Sequence, residues 1–92
     1  MKENVTHEPE NKRFVIYAEG KEAIVEYKKT NKVLDLYHTF TDPSLRGKGF
    51  AAQVVRAAFE FAKENNLKVI PTCSYVRIFV KRYDEYKELV VD

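Results

Sequence analysis

Leu45-Arg46-Gly47-Lys48-Gly49-Phe50-Ala51 is the stretch whose reading decides the fold. It joins an alternating, strand-like part of the chain to its strongest amphipathic helix. Gly47 and Gly49 bracket Lys48 just before that helix. Without side chains at both positions, backbone N–H groups can converge on an anion with no Cβ in the way. No Ser, Thr, Asp or Asn stands next to Gly49 to cap the helix, so an anion could satisfy its free N–H groups instead. Arg46 and Lys48 add donors and positive charge. Spacing alone leaves two readings: an anion cradle, or a tight strand-to-helix turn that happens to need two glycines.

Downstream, Phe50, Val54, Ala58 and Phe61 recur at i, i+4, i+8 and i+11, and Val55, Phe59 and Ala62 widen the stripe. This is the period of a helix with one buried face. Gln53, Arg56, Glu60 and Lys63 form the polar face, with Arg56 and Glu60 spaced for an i,i+4 pair. Asn65-Asn66 is the stop. Upstream, Phe14–Ala18 and Ala23–Tyr27 read as strands around a Glu19-Gly20-Lys21 turn. From Val33 to Phe40 the chain alternates, placing Leu34, Leu36, His38 and Phe40 on one face. Thr41-Asp42-Pro43-Ser44 ends that strand, because Pro43 has no N–H to give a ladder. Leu67–Ile70 is a short strand that Pro71 terminates, Tyr75–Tyr83 a second helix, and Tyr86–Val91 a tail that can pack or pair.

The order is β-β-β-α-β-α, an α/β (α+β) chain. A three-stranded antiparallel meander precedes α-β-α, and the crossover makes the fourth strand parallel to the third. The glycine loop then lies at the carboxyl end of a strand and the amino end of a helix, where unpaired N–H groups and the helix dipole both face outward.

The 92 residues suffice for one domain, 1–92, with one core. The first ten, polar and carrying Pro9, read as a loose lead-in. Hydrophobic residues at 45% and charged ones at 33% fit a globular protein rather than a disordered one. No apolar run approaches the roughly 20 residues that span a bilayer, and the N-terminus has no signal-peptide core. A lone cysteine, Cys73, cannot form an internal disulfide, so the expected setting is the reducing cytoplasm. The net charge of +2 is spread without a basic block, and the strands lack the paired aromatic and basic motif of single-strand RNA binders. Neither nucleic acid nor membrane is an expected partner, and a monomer is the default.

Other phosphate loops fit poorly. No Gly-x-x-x-x-Gly-Lys-Ser/Thr run occurs, and Ala52 stands where the dinucleotide fingerprint needs its third glycine. Arg46-Gly47-Lys48-Gly49-Phe50-Ala51 instead resembles the Arg/Gln-x-x-Gly-x-Gly/Ala motif of the GNAT acetyltransferase superfamily. His38-Thr39-Phe40, the loop, and Ile70-Pro71-Thr72-Cys73-Ser74-Tyr75-Val76 follow in order, so that the stretch from His38 to Val90 is similar to the small, stand-alone yjdJ-type GNAT subfamily.

The resemblance implies a minimal GNAT fold that uses acetyl-coenzyme A (acetyl-CoA) as cosubstrate. The backbone of Thr39, Phe40 and Thr41 would hold the pantetheine arm, and Arg46, Gly47, Lys48, Gly49, Phe50 and Ala51 the pyrophosphate. The strand at Val69-Ile70 would splay from its neighbour to admit the acetyl thioester. Longer members carry extra N-terminal helices that wall the acceptor, for which this chain has no room.

The resemblance also marks His38 and Cys73 as candidates for catalysis, by direct attack of an amine or through an acetyl-cysteine. Two things could lower the thiol pKa: His38, or the helix starting near Ser74. Two structural readings stand beside these. A cysteine between a strand and a helix is often a small buried apolar residue, and His38, in line with Leu34 and Leu36, fits an inward structural histidine. Tyr75, Tyr83 and Tyr86 carry hydroxyls that could protonate a leaving thiolate, but Tyr75, Phe79 and Tyr83 also form a packing stripe. His7 precedes every expected element and has no assigned role. The expected activity is acetyl transfer to an unidentified amine or protein acceptor, and the alternative is a non-catalytic acetyl-CoA-binding module.

Overall fold

Period-two alternation in the first half of the chain becomes a meander, and the helical period after Gly49 becomes the layer that covers it. The computed structural model describes residues 5–91. Five strands form one sheet in chain order: β1 (Thr6–Glu8), β2 (Arg13–Ala18), β3 (Lys21–Thr30), β4 (Val33–Thr41) and β5 (Lys68–Ile70). The α-helices are α1 (Phe50–Glu64), between β4 and β5, and α2 (Ser74–Arg82), after β5. The first four strands pair antiparallel, and β5 is parallel to β4, as the α1 crossover requires. No described helix is long and apolar enough to cross a membrane.

The core lies between the sheet and α1. Phe14, Ile16, Val25, Leu34, Leu36 and Val69 meet Val54, Val55, Ala58, Phe59 and Ala62. Each of the Val, Leu, Ile and Phe side chains among them, once fully buried, contributes about 1.5–3 kcal/mol. The chain after α2 forms a 3-10 helix, Asp84–Leu89, that lays Tyr86 against Phe59 and Phe79. Val90 then bridges to Val69, which covers the outer edge of β5. The expected Arg56–Glu60 pair does not form. Arg56 turns to Glu85 at 3.4 Å and Glu60 accepts the Tyr86 hydroxyl, because the 3-10 segment brings better-placed partners to both.

Two further features depart from the sequence reading. A β-bulge interrupts the β3–β4 ladder: Tyr27 pairs with Leu36 but Glu26 pairs with His38, leaving Tyr37 as the extra residue. One extra residue reverses the phase of the strand beyond it. Leu34 and Leu36 are buried, whereas His38 and Phe40 are exposed on the opposite face of the sheet. An inward structural histidine at position 38 is therefore ruled out.

The second departure concerns the lead-in, of which residues 1–4 lie outside the described residues. Thr6–Glu8 is an edge strand on β2 rather than a loose segment. Its anchor is His7, whose ring stacks on Phe14 at 4.2 Å between centroids and meets Phe61 edge-on at 4.7 Å. Its Nε2 lies 2.6 Å from the Tyr27 hydroxyl.

Burial holds the His7 pKa below its ordinary value of 6.5, and Glu10 opposes the shift. A depressed histidine favours the folded state fully above pH 6.5. That contribution is lost as the pH falls from there toward the folded-state pKa, because the unfolded chain then binds more protons. Urea unfolding at about pH 7.5 and pH 5.5 should show stability falling toward acid, with a smaller fall in His7→Phe, which keeps the ring and removes the titration.

Candidate active site

The glycine loop is pinned at both ends and free between them. Asp42 caps the 3-10 turn Pro43–Leu45 by accepting from the Ser44 N–H at 3.0 Å and its hydroxyl at 2.8 Å. Leu45 and Phe50 are buried in the core. Between these anchors Gly47 and Gly49 adopt φ of 81° and 82°, a conformation that costs an L-residue roughly 1–2 kcal/mol. A Cβ at either position would meet no atom within 4 Å. The glycines are needed for their backbone angles, then, and the space beside them is open.

Gly49 is the N-cap of α1 and supplies no side-chain bond, and the first turn carries no acidic residue. Among the described residues no acceptor engages the backbone N–H groups from Gly47 to Ala52. They border a cleft of about 210 Å³ lined by Thr41, Arg46, Gly47, Gly49, Phe50 and Ala51, with Tyr75 of α2 opposite. Arg46 Nε donates to the Thr41 carbonyl at 3.4 Å. Lys48 is not in the lining; its Nζ lies 3.3 Å from Glu19 on the β2–β3 turn.

From this cleft the free edge of β4 leads to the thiol. β4 and β5 pair only at Val33/Lys68, Leu34/Val69 and Asp35/Ile70. One more bond, from the Cys73 N–H to the Leu36 carbonyl at 3.0 Å, closes the contact. Beyond it β4 continues to Thr41 with no strand among the described residues on that side. This is the splayed gap expected at Val69-Ile70, and it exposes the backbone of Thr39, Phe40 and Thr41.

Cys73, a free and half-buried thiol, is the N-cap of α2. Its Sγ lies 3.6 Å from Thr39 Oγ1. Burial pushes the thiol pKa up, but hydrogen bonds from the Thr39 hydroxyl and the backbone of Tyr75, Val76 and Thr39 outweigh it, and the net shift is downward. A helix N-terminus favours the thiolate in the same sense.

The structure thus brings Cys73, Thr39, Thr41 and most of the loop to one side of the sheet and leaves His38 on the other. Among the described residues His38 makes no hydrogen bond to Cys73; the Thr39 hydroxyl holds that place. Phe40 projects from the outer face, cross-strand from Ile24.

Of the three tyrosines, only Tyr75 borders the cleft, and burial raises its pKa. Tyr86 is buried, bonded to Glu60 and Arg56, and its pKa is pushed up to about 12 by burial and the Glu60 bond. Tyr83 lies under the Arg56 guanidinium at 4.6 Å. Both sequence readings of Tyr75, a hydroxyl for the leaving thiolate and a member of a packing stripe, left its place open, and the structure sets it at the cleft, two residues after Cys73. The side-chain role of Thr39 had no signal in the sequence, because it depends on the bulge.

A capless, glycine-led helix start beside a splayed parallel strand pair is the architecture of an acetyltransferase of the GNAT type. A family model described as GCN5-related N-acetyl-transferase matches residues 13–89, and the chain belongs to that family. It is 32% identical to Protein NATD1 of Gallus gallus over 80 residues, covering 84% of this chain and 73% of that protein. With Protein NATD1 of Danio rerio it shares 32% over 92 residues, covering 95% and 84%. A solution structure of a Staphylococcus aureus GCN5-like protein, proposed to be an N-acetyltransferase, superposes with a TM-score of 0.75 at 25% identity. That match covers 96% of this chain and 87% of that one.

The thiol geometry has a direct test. Thr39→Val should raise the Cys73 pKa and slow alkylation near neutral pH by about threefold to tenfold, the effect of one hydrogen bond of about 1 kcal/mol. His38→Ala should leave the rate unchanged. The measurement is the pH dependence of iodoacetamide reaction, and a loss of rate in His38→Ala would contradict the assignment of Thr39 as the thiol's partner.

Proposed function

We propose that the chain binds acetyl-CoA along the Gly47–Ala52 cleft and the free edge of β4, and transfers its acetyl group to an amine. The observation that supports this most is the row of unengaged N–H groups at the capless start of α1, which opens onto the β4–β5 gap beside Cys73. The pyrophosphate would take those N–H groups together with Arg46. Lys48 would join by leaving Glu19, an exposed pair of small energetic weight. The pantetheine arm would bond to Thr39, Phe40 and Thr41 as an added strand. A free thiol in the site fits work in the reducing cytoplasm.

Two routes use these residues. In direct transfer the amine nitrogen bonds to the acetyl carbon, the carbon–sulfur bond breaks, and the amine proton leaves to a base. His38, on the outer face, is the base on the acceptor's side of the gap, and Tyr75 supplies a proton to the departing thiolate. In the covalent route the Cys73 thiolate forms the carbon–sulfur bond first, coenzyme A leaves with a proton from Tyr75, and the amine then displaces Cys73 as the thiolate and gives its proton back to the Tyr75 phenolate. The lowered thiol pKa favours the covalent route. A second reading, a module that binds acetyl-CoA without transferring it, is favoured by one observation: no ionisable base contacts the thiol among the described residues.

Native mass spectrometry with acetyl-CoA tests both. We expect a one-to-one complex, an acetyl mass on wild-type protein and none on Cys73→Ala. Arg46→Glu should weaken binding by about tenfold, since it replaces a charge-assisted contact with repulsion. Thermal unfolding of Arg46→Glu should be unaltered, because the side chain is exposed. Absence of any complex would sink the reading. A complex without an acetyl mark or turnover across an amine panel would leave the binding module.

A further inference from the structure

On the outer face of the sheet, away from α1, lies a second and larger groove of about 370 Å³. Val33 and Ile70 line it with apolar surface, Thr30 and Asn31 close the β3–β4 turn end, and Lys28 and Asp35 stand over it. Lys28, Asp35 and Ile70 form one register row across β3, β4 and β5. Lys28 and Asp35 are therefore directly opposed across an antiparallel pair, where opposite charges ordinarily meet. Here they do not. Asp35 Oδ1 accepts from the Thr72 hydroxyl at 2.5 Å, while Lys28 Nζ lies over the Tyr37 ring at 5.2 Å from its centroid. Among the described residues neither takes part in an ion pair. The result is an apolar trough with a cation and an anion held apart above it.

We propose that this groove is the acceptor subsite, and that it takes a small primary amine that also bears a carboxylate, an amino-acid-like zwitterion. The assignment of acceptor rests on the acetyl-transfer reading above; the zwitterion site itself does not. The carboxylate goes to Lys28, the amine to Asp35, and an aliphatic side chain lies on Val33 and Ile70. The orientation follows from the topology. Asp35 is one residue before Leu36, whose carbonyl makes the last bond before the gap opens, and Thr72, which holds Asp35, directly precedes Cys73. Lys28 stands one strand further away. The nitrogen is thus the end nearest the gap, on the same sheet face as His38.

The test is an amide-shift titration of the full chain by NMR with leucine, with leucinamide, which lacks the carboxylate, and with 4-methylpentanoate, which lacks the amine. Leucine should shift the amides of Asn31, Val33, Asp35 and Ile70, and bind roughly threefold or more tightly than either analogue. Lys28→Met should remove the preference over leucinamide, and Asp35→Asn the preference over 4-methylpentanoate. Both replaced side chains lie outside the core, and the spectrum of each variant reports its fold.

Unmoved groove amides, or equal affinity for all three compounds, would overturn the proposal. Acetyl-CoA titrated separately reports on Gly47–Ala52. Loop shifts with a silent groove overturn the subsite alone, whereas groove shifts with a silent loop uphold the zwitterion site and overturn the acetyl-transfer reading.

Discussion

The rest of the site depends on how little of β4 is paired with β5. Three residue pairs, flanked by the Lys68 N–H to Lys32 carbonyl bond at one end and the Cys73 N–H to Leu36 carbonyl bond at the other, hold the two strands together. The chain then turns at Pro71, and the Thr72 N–H, next in line for β4, bonds instead to the Ile70 carbonyl at 3.0 Å. Had the pairing run on to Thr41, the edge of β4 would be consumed and Cys73 would be one more residue of a closed sheet. Because it stops, the chain turns away into α2, and the residue at the turn becomes both a helix N-cap and the neighbour of Thr39. The thiol environment is a consequence of an interrupted sheet.

The loop at the other end of the gap depends on a similar omission. A helix start normally recruits a side chain to its first N–H groups, and Asp42 does this for the short turn just before. At α1 the cap is a glycine in the left-handed region, and nothing from the chain fills the role. The space beside Gly47 and Gly49 is open, so the loop is not a packing solution that glycine alone could fit. Buried Leu45 and Phe50 fix the loop from both sides, which keeps the free N–H groups oriented without using them. On the proposed reading this preorganisation is what lets a weakly held, exposed pair such as Lys48–Glu19 rearrange while the loop does not.

Much of this was legible from local pattern. The α1 stripe and its glycine-led start are short-range signals, and a single crossover between strands dictates the parallel pairing. The phase of β4 beyond Leu36 was not legible. Val25 and Tyr27 on β3 both face the core, two residues apart, and their partners on β4 are Thr39 and Leu36, three apart. The bulge reconciles those spacings, and it belongs to the pair of strands rather than to either sequence. Taken alone, β4 alternates through His38 and Phe40 without a break, which points both residues the wrong way. β1 was hidden for another reason. Thr6-His7-Glu8 has no strand pattern, and what fixes it is one histidine ring on Phe14 together with the open edge of β2.

The bulge also divides the chemistry between the two faces. Thr39 and Thr41 keep to the side of α1, the glycine loop and Cys73, while His38 is sent to the side of Asp35, Lys28 and the outer groove. A histidine that shared the thiol's side would have been read as its activator. Separated from it, the two groups fit different tasks. On the proposed reading the thiol, its pKa lowered by Thr39 and the start of α2, serves the donor that would arrive along the β4 edge. On the same reading the imidazole serves an acceptor that would approach from the open face of the sheet. Since the sheet is one layer thick at the gap, a donor and an acceptor placed as proposed would meet there from opposite sides, and neither would have to pass through the space that the other fills.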